Sequence, residues 1–296
     1  MTQEDNYLSR RSTEKLSVHI PPEKLKHIYN SLDLIGDTAI IKVADDGVIN
    51  AEAVAKQIMA VHKNVKTVFL QTSPIAGDFR VRELKLLAGE VKTIAKYRES
   101  GCVFAVDVEK CYFSPRLSYE RARIARLVES GETVVNMFAG VGCFSIIIAK
   151  IVPQAQVFSI DINPTAFHFM EENVRVNRVF GKVTPLLGDA KDLIKSQLLG
   201  KADRVLMPLP EKALEYLPYA VSSLKASGGW IHFHDFQHAT GEESPVDKTK
   251  QKVAQKLGAL DIGYRFVFSR VVRSTGPNWF QTVLDIQVTD VPNKFL

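Results

Sequence analysis

A chain of 296 residues with 46% apolar content is long enough for one α/β domain of ordinary size plus a smaller companion. Its net charge of +5 and pI near 9.0 permit an anionic partner without demanding one. Cys102, Cys111 and Cys143 have no C-x-x-C spacing and cannot all pair, the opening MTQEDNYLSRRSTEK has no apolar core, and the run around FSIIIAKIV is too short to span a bilayer. These features exclude a disulfide scaffold, a signal peptide and a membrane span, so a soluble protein of the reducing cytoplasm is expected.

In chain order, residues 1–15 are polar and aperiodic and read as a loose arm, and IPPEKLKHIYNSL reads as a helix with Pro22 in its first turn. DTAIIKV, NVKTVFLQT and RVRELKLLAG read as strands, with the helix INAEAVAKQIMAVH among them. TIAKYRESGCVFAVDVEKCYFS predicts a hairpin turned at Glu99-Ser100-Gly101. The expected division is an arm and helix over 1–30, a small mixed α/β domain over 31–114 and a larger domain over 115–296. Ser118 is a candidate N-cap for the helix SYERARIARLVES. Strand–helix alternation then continues to about residue 236, the pattern of a parallel, doubly wound sheet. YRFVFSRVVRS and WFQTVLDIQV, joined through Thr275-Gly276-Pro277-Asn278, finish the chain as an antiparallel pair.

The stretch that carries chemistry is VVNMFAGVGCFS, residues 134–145, a buried strand running into a glycine turn that opens the helix SIIIAKIV. Gly140 and Gly142 let the backbone turn sharply and approach a ligand. A dinucleotide site would read G-x-G-x-x-G, whereas here the pair stands alone before Phe144. S-adenosylmethionine has no pyrophosphate to cradle, and the shorter loop suits it better. The next strand, VFSIDIN, places Asp161 where a carboxylate takes a ribose diol, and LLGDAKDL places Asp189 where one could accept from an adenine amino group.

From residue 31 almost to its end the chain resembles the class I tRNA (guanine-37, N1)-methyltransferases of archaea and eukaryotes. The resemblance is carried by IGDTAIIKV, IAGDFRVRELKLLAGE, YFSPRLSYERARIARLV, NMFAGVGCF, SIDINP, GDA and RVLMPLPEKA, of which YFSPRLSYER is the most specific. It implies a class I, Rossmann-like S-adenosylmethionine-dependent domain beside a smaller domain that serves RNA and target base. The implied cofactor positions are Arg116, Leu117, Asn136, Phe138, Gly140, Gly142, Asp161, Ile162, Asn163, Asp189 and Ala190. Tyr112, Pro208, Leu209 and Pro210 are the implied substrate positions.

Methylating N1 of guanine requires a base to remove its proton and a donor for the charge developing on O6. By the same resemblance Glu120 is the base and Arg80 the donor, with the target base splayed into a cleft as is usual for chemistry on a ring atom. Arg82, two residues on and on the same face if this is a strand, competes with Arg80 for that role. Asn136 stands where the family usually has aspartate, and Met207-Pro208-Leu209-Pro210 stands where many members read M-N-L-P. Only 34 residues precede IGDTAIIKV, so the separate first domain of longer members is expected to be absent and recognition to rest on the anticodon stem-loop, with the protein a monomer.

Related wyosine aminocarboxypropyl transferases read closer to F-S-x-G-N where this chain has Ser114-Pro115-Arg116-Leu117-Ser118, which argues against that reaction. C7 methylation of 4-demethylwyosine, and an RNA-binding protein without turnover, stay open as alternatives. His232, His234 and His238 with Asp235 invite a metal site, but the segment follows Gly228-Gly229 at the approach to a fifth strand and no metal is expected. The basic helix KTKQKVAQKL reads as a solvated face.

Overall fold

The computed structural model describes residues 32–42, 51–289, 291, 292 and 295. The arm, and the helix expected over IPPEKLKHIYNSL apart from its last residue Leu32, lie outside them. The chain divides into two compact units, Met1–Arg116 and Leu117–Leu296, two residues beyond the boundary drawn from sequence.

The first unit holds a four-stranded sheet in the order β1 (Asp33–Ile35), β2 (Thr38–Ile41), β3 (Thr67–Gln71), β4 (Leu84–Gly89). β2 and β3 are parallel and the other pairs antiparallel. The crossover helix α1 (Ala51–Val61) buries Val54, Ala55 and Ile58, one face of the helix, against Ala39, Ile41 and Val68. β5 (Ile94–Glu99) and β6 (Cys102–Asp107) form the expected hairpin. Ser100 and Gly101 turn it with φ of 49° and 74°, positive at both positions as a type I′ turn requires.

One strand is added in this unit and one expectation changes. β1 had no sequence signal of its own, being only three residues long. The strand expected over RVRELKLLAG begins at Leu84, because Arg80 has φ 51° and lies in a turn.

The second unit is one seven-stranded sheet in the order β12 (Tyr264–Gly276), β13 (Trp279–Val288), β11 (Gly229–His238), β10 (Arg204–Met207), β7 (Thr133–Asn136), β8 (Gln156–Asp161), β9 (Val183–Leu187). β7 to β11 are mutually parallel where they pair, and β13 and β12 finish the sheet antiparallel, with β12 at the edge. This is the doubly wound α/β fold predicted.

Helix α2 (Ser118–Leu127) leads into the sheet. Ser118 is not its N-cap: Leu117 is, with no side-chain cap, because a 3₁₀ turn over Pro115–Leu117 already winds the chain. α3 (Cys143–Ile151) is apolar nearly all round and buried from Cys143 to Ala149. α4 (Pro164–Val176), the short α5 (Ala190–Leu193), α6 (Pro210–Ser223) and α7 (Pro245–Ala259) follow. The main core gathers Val135, Val205, Ile231, Phe233, Leu217, Val253 and Leu284 from strands and helices. All parallel strands end at one edge, so the glycine loop, Asp161, Asp189 and Pro208 share it. No helix of the described residues is long and apolar enough to cross a membrane.

Candidate active site

The glycine loop follows β7 directly. Gly140 and Gly142 have φ of 56° and 90°, which side chains with a Cβ rarely adopt. A Cβ on Gly142 would also lie 3.0 Å from Met170 Cγ and 3.1 Å from Ile146 Cδ1, so this residue sets how closely the loop seats on the helices.

Asp161 closes the loop from below. Its Oδ2 accepts from the Gly140 amide at 2.6 Å and its Oδ1 from the Asn163 amide at 2.9 Å. Burial pushes its carboxyl above the ordinary range despite those two bonds. A carboxylate has about four lone-pair positions, so two stay open, the number a ribose diol needs. Ile162, beside it, exposes an apolar side chain at 46%. Asn163 has a different duty: its side chain caps α4 by accepting from Thr165 and Ala166, which fixes the backbone that holds Asp161.

Asn136 is fully buried, and its Nδ2 donates to Ser145 Oγ at 3.1 Å while Oδ1 has no protein partner. Ser159, its in-register neighbour on β8, is likewise fully buried with an unpartnered Oγ. Both atoms are closed off beneath the strand ends, so the open positions of Asp161, not Asn136, fit a polar ligand such as S-adenosylmethionine.

Asp189 caps α5, accepting from the Lys191 amide at 2.9 Å. The Tyr216 hydroxyl, 3.0 Å from both carboxylate oxygens, donates to it as well, and Lys191 Nζ lies 3.2 Å away. That leaves about one acceptor position for a ligand. Tyr216, which sequence reasoning missed, also packs edge-on against Phe138 at 5.2 Å. Burial and the Asp189 bond both raise its pKa. Ala190 is buried in the core beneath. At the end of β10, Pro208 and Leu209 are half-buried, while Pro210 is buried as the first residue of α6.

In the first unit the two candidate arginines separate. The Arg80 guanidinium lies over the Tyr112 ring at 4.1 Å. Arg82 donates to Gln71 Oε1 at 3.1 Å and pairs with Asp33 at 3.6 Å. The expectation that both share a strand face fails because the turn at Arg80 intervenes, and Tyr112 lies beyond β6 rather than in a strand. Arg116 also pairs with Asp33, at 2.9 Å. Leu117 is buried.

Glu120, in the first turn of α2, is fully buried and held by two guanidinium groups. Arg123 Nε donates to Oε2 at 3.0 Å, and Arg270 donates to Oε1 through Nε at 2.7 Å and again through Nη2. Arg123 is anchored in turn by Asp285, at 2.5 and 3.0 Å. Burial works to raise the Asp285 pKa, but its bonds to His232 and Arg123 prevail and hold it well below the usual carboxylate range. His232 Nδ1 is 2.7 Å from Asp285, and its Nε2 is 2.8 Å from Arg204, which Glu132 also holds. His232 therefore has protein partners at both ring nitrogens, and among the described residues no three His, Cys, Asp or Glu side chains are placed to hold a metal ion. Lysines of α7 are engaged too: Lys248 with Glu243, Lys250 with Asp247 and Lys252 with Asp235.

Burial depresses the pKa of His234 to about 4 and lowers that of His232. Between about pH 6.5 and 4 the unfolded chain takes up a proton at His234 that the folded protein does not. Stability should therefore fall on acidification through that window, on the order of 3 kcal/mol from this residue. Urea unfolding at pH 7 and pH 4.5 checks this, because His234→Gln should have a visibly shallower pH dependence than the parent. An equal slope removes His234 from the account.

Residues 93–260 match the family model described as the TRM5/TYW2 methyltransferase domain. The chain belongs to this family. Residues 13–93, which hold the four-stranded sheet of the first unit, match the TYW2 N-terminal domain model. Among relatives, the tRNA (guanine(37)-N(1))-methyltransferase Trm5b of Pyrococcus abyssi is 37% identical over 92% of this chain and 79% of its own length. The tRNA 4-demethylwyosine(37)-methyltransferase Taw21 of Saccharolobus solfataricus is 34% identical over 88% of this chain and 94% of its own. Among solved structures, the complex of aTrm5 and tRNALeu superposes with a TM-score of 0.77 at 31% identity, covering 92% of this chain and 76% of that one. P. horikoshii TYW2 in complex with MeSAdo superposes with a TM-score of 0.74 at 26% identity, covering 94% and 98%.

Proposed function

We propose that this protein methylates N1 of guanosine 37 in tRNA, next to the anticodon, with S-adenosylmethionine as methyl donor. The observation that carries the reading is Asp161, a strand-end carboxylate with two open acceptor positions beside the Gly140 turn, in a chain of the TRM5/TYW2 family. Asp161 takes the ribose hydroxyls, Ile162 offers an apolar contact to adenine, and the last open position of Asp189 is the remaining acceptor. Bound there, S-adenosylmethionine supplies an already activated methyl group.

The protein's own part is to orient guanine, take its N1 proton and receive the charge on O6. Glu120 is the base. Arg80, its guanidinium fixed over Tyr112, is the donor to O6. Arg80→Ala should lower single-turnover methyl transfer by about 2 to 4 kcal/mol in barrier with tRNA affinity little changed. Arg82→Ala, which breaks the Asp33 and Gln71 contacts instead, should cost stability rather than rate. Equal effects of the two variants on rate would withdraw the assignment.

Nucleoside mass spectrometry of tRNA incubated with the protein and S-adenosylmethionine tests the reaction itself, with 1-methylguanosine the expected product. A second arm uses tRNA carrying 4-demethylwyosine. Pro208 offers no donor where an asparagine would, and Taw21 matches this chain over nearly its whole length, so a methylated tricyclic product would redefine the substrate. No methylated nucleoside in either arm would leave the alternative of RNA binding without turnover. The reading places the protein in the cytoplasm as a monomer.

A further inference from the structure

The carboxyl edge of the large sheet carries a feature the reaction above does not use. β10 last pairs with β11 at Met207↔Phe233, but β11 runs on to His238, five residues or about 16 Å further. β13 and β12 follow it outward, so the three strands project beyond the parallel strands on the side of the glycine loop, Asp161 and Pro208.

Register arranges one face of this projection in rows. His232, Asp285 and Phe268 form the first row, then His234, Val283 and Arg270, then Phe236, Gln281 and Arg273, and last His238 with Trp279. Contacts confirm a common face: Arg270 reaches Glu120, Arg273 donates to Gln281 at 2.9 Å, and His238 meets Trp279 edge-on at 5.4 Å. Rows on a strand repeat every two residues, about 7 Å, roughly twice the 3.4 Å rise of stacked bases. That is the stride of an opened single strand. Leading outward from Glu120, the rows offer guanidinium, guanidinium, indole.

The bland reading is that arginines on an edge strand deter pairing with other chains. β12 does carry three arginines and no acid. Its bulges argue for more. Register slips between Val271 and Arg273 and between Ser274 and Gly276, and the first of them brings Arg273 into the Gln281 row. Trp279 is 47% exposed, an apolar surface left to water at the tip.

We infer that this strip is a track for the unpaired nucleotides flanking the target guanine, with Arg273 on a phosphate and Trp279 stacked under a base. The inference rests on the proposed tRNA substrate. Stacking on an aromatic side chain holds a base whatever its identity, and a guanidinium–phosphate contact adds a salt-dependent term.

The test uses the full chain and an anticodon stem-loop RNA, in one version with guanine at the target position and in another with uracil there. Trp230 and Trp279 are the chain's two tryptophans, so intrinsic fluorescence reports on the strip directly. Both RNAs should quench the emission. Trp279→Ala should abolish most of that quenching and weaken RNA binding roughly ten- to hundredfold, whereas Trp279→Phe should stay within about threefold because it still stacks. Arg273→Ala should lower the slope of log affinity against log salt by about one. Calorimetric affinity for S-adenosylmethionine should be the same in all variants. Unquenched emission in the wild-type protein with bound RNA overturns the inference, and needs no variant to fold. So does RNA affinity unchanged in Trp279→Ala. Quenching without methyl transfer would instead sink the reaction and leave the track standing.

Discussion

Replacing Asp161 by alanine should weaken S-adenosylmethionine binding by a factor on the order of 10² to 10⁴, the loss of two hydrogen bonds to a charged acceptor at roughly 1.5 to 3 kcal/mol each. The same change strips a partner from the Gly140 and Asn163 amides, so some stability is lost as well. The two effects are separable. Calorimetry on protein shown by its melting curve to be folded at the working temperature gives the affinity alone, and Asp161→Asn, which keeps one acceptor oxygen, should fall between parent and alanine. Because burial raises this carboxyl, cofactor affinity in the parent should also decline on acidification sooner than an ordinary aspartate would cause. Unchanged affinity in folded Asp161→Ala would take the ribose off this residue and the cofactor seat with it.

Asp161 was legible in the sequence because everything that defines it is local. A strand, two glycines of positive φ and a second strand ending in an acid lie within thirty residues, and each signal comes from backbone geometry that the residue type fixes. The Ser100-Gly101 hairpin was readable for the same reason. What sequence missed is what distance supplies. Tyr216 reaches Asp189 across 27 residues of chain, and Arg270 reaches Glu120 across 150. A tyrosine in helix α6 or an arginine in an edge strand has no pattern that announces such a partner. Likewise His232 and His234 do share a strand face, as alternation says, but only the fold reveals that Asp285 and Arg204 occupy His232. Arg80 shows the opposite failure, since an apparent strand pattern yielded to a left-handed turn that alternation cannot detect.

Glu120 is where these distant contacts matter most. A base has to meet its substrate, yet this carboxylate is fully buried with both oxygens engaged. Arg123 cannot leave easily, being 13% exposed and fixed by Asp285 on its far side. Arg270 is 30% exposed, stands on the edge strand and stacks on the exposed Tyr119 ring at 4.5 Å. Oε1 is therefore the oxygen that can be uncovered, and guanine docking should move Arg270 off it. Glu120→Gln keeps the shape and two of the contacts' geometry but cannot accept a proton at the amide. Single-turnover methyl transfer should drop by about 10² to 10⁴, with RNA affinity and cofactor affinity close to the parent's. Loss of the charge should lower the melting temperature whichever role Glu120 has, because breaking a buried ion pair costs about 3 to 5 kcal/mol; a glutamate that served only to neutralise Arg123 and Arg270 would leave the molecules still folded turning over normally. Rate measured on the folded fraction, set beside the melting curve, separates the two. Near-parental turnover in folded Glu120→Gln would remove Glu120 as the base and leave the N1 proton to another acceptor.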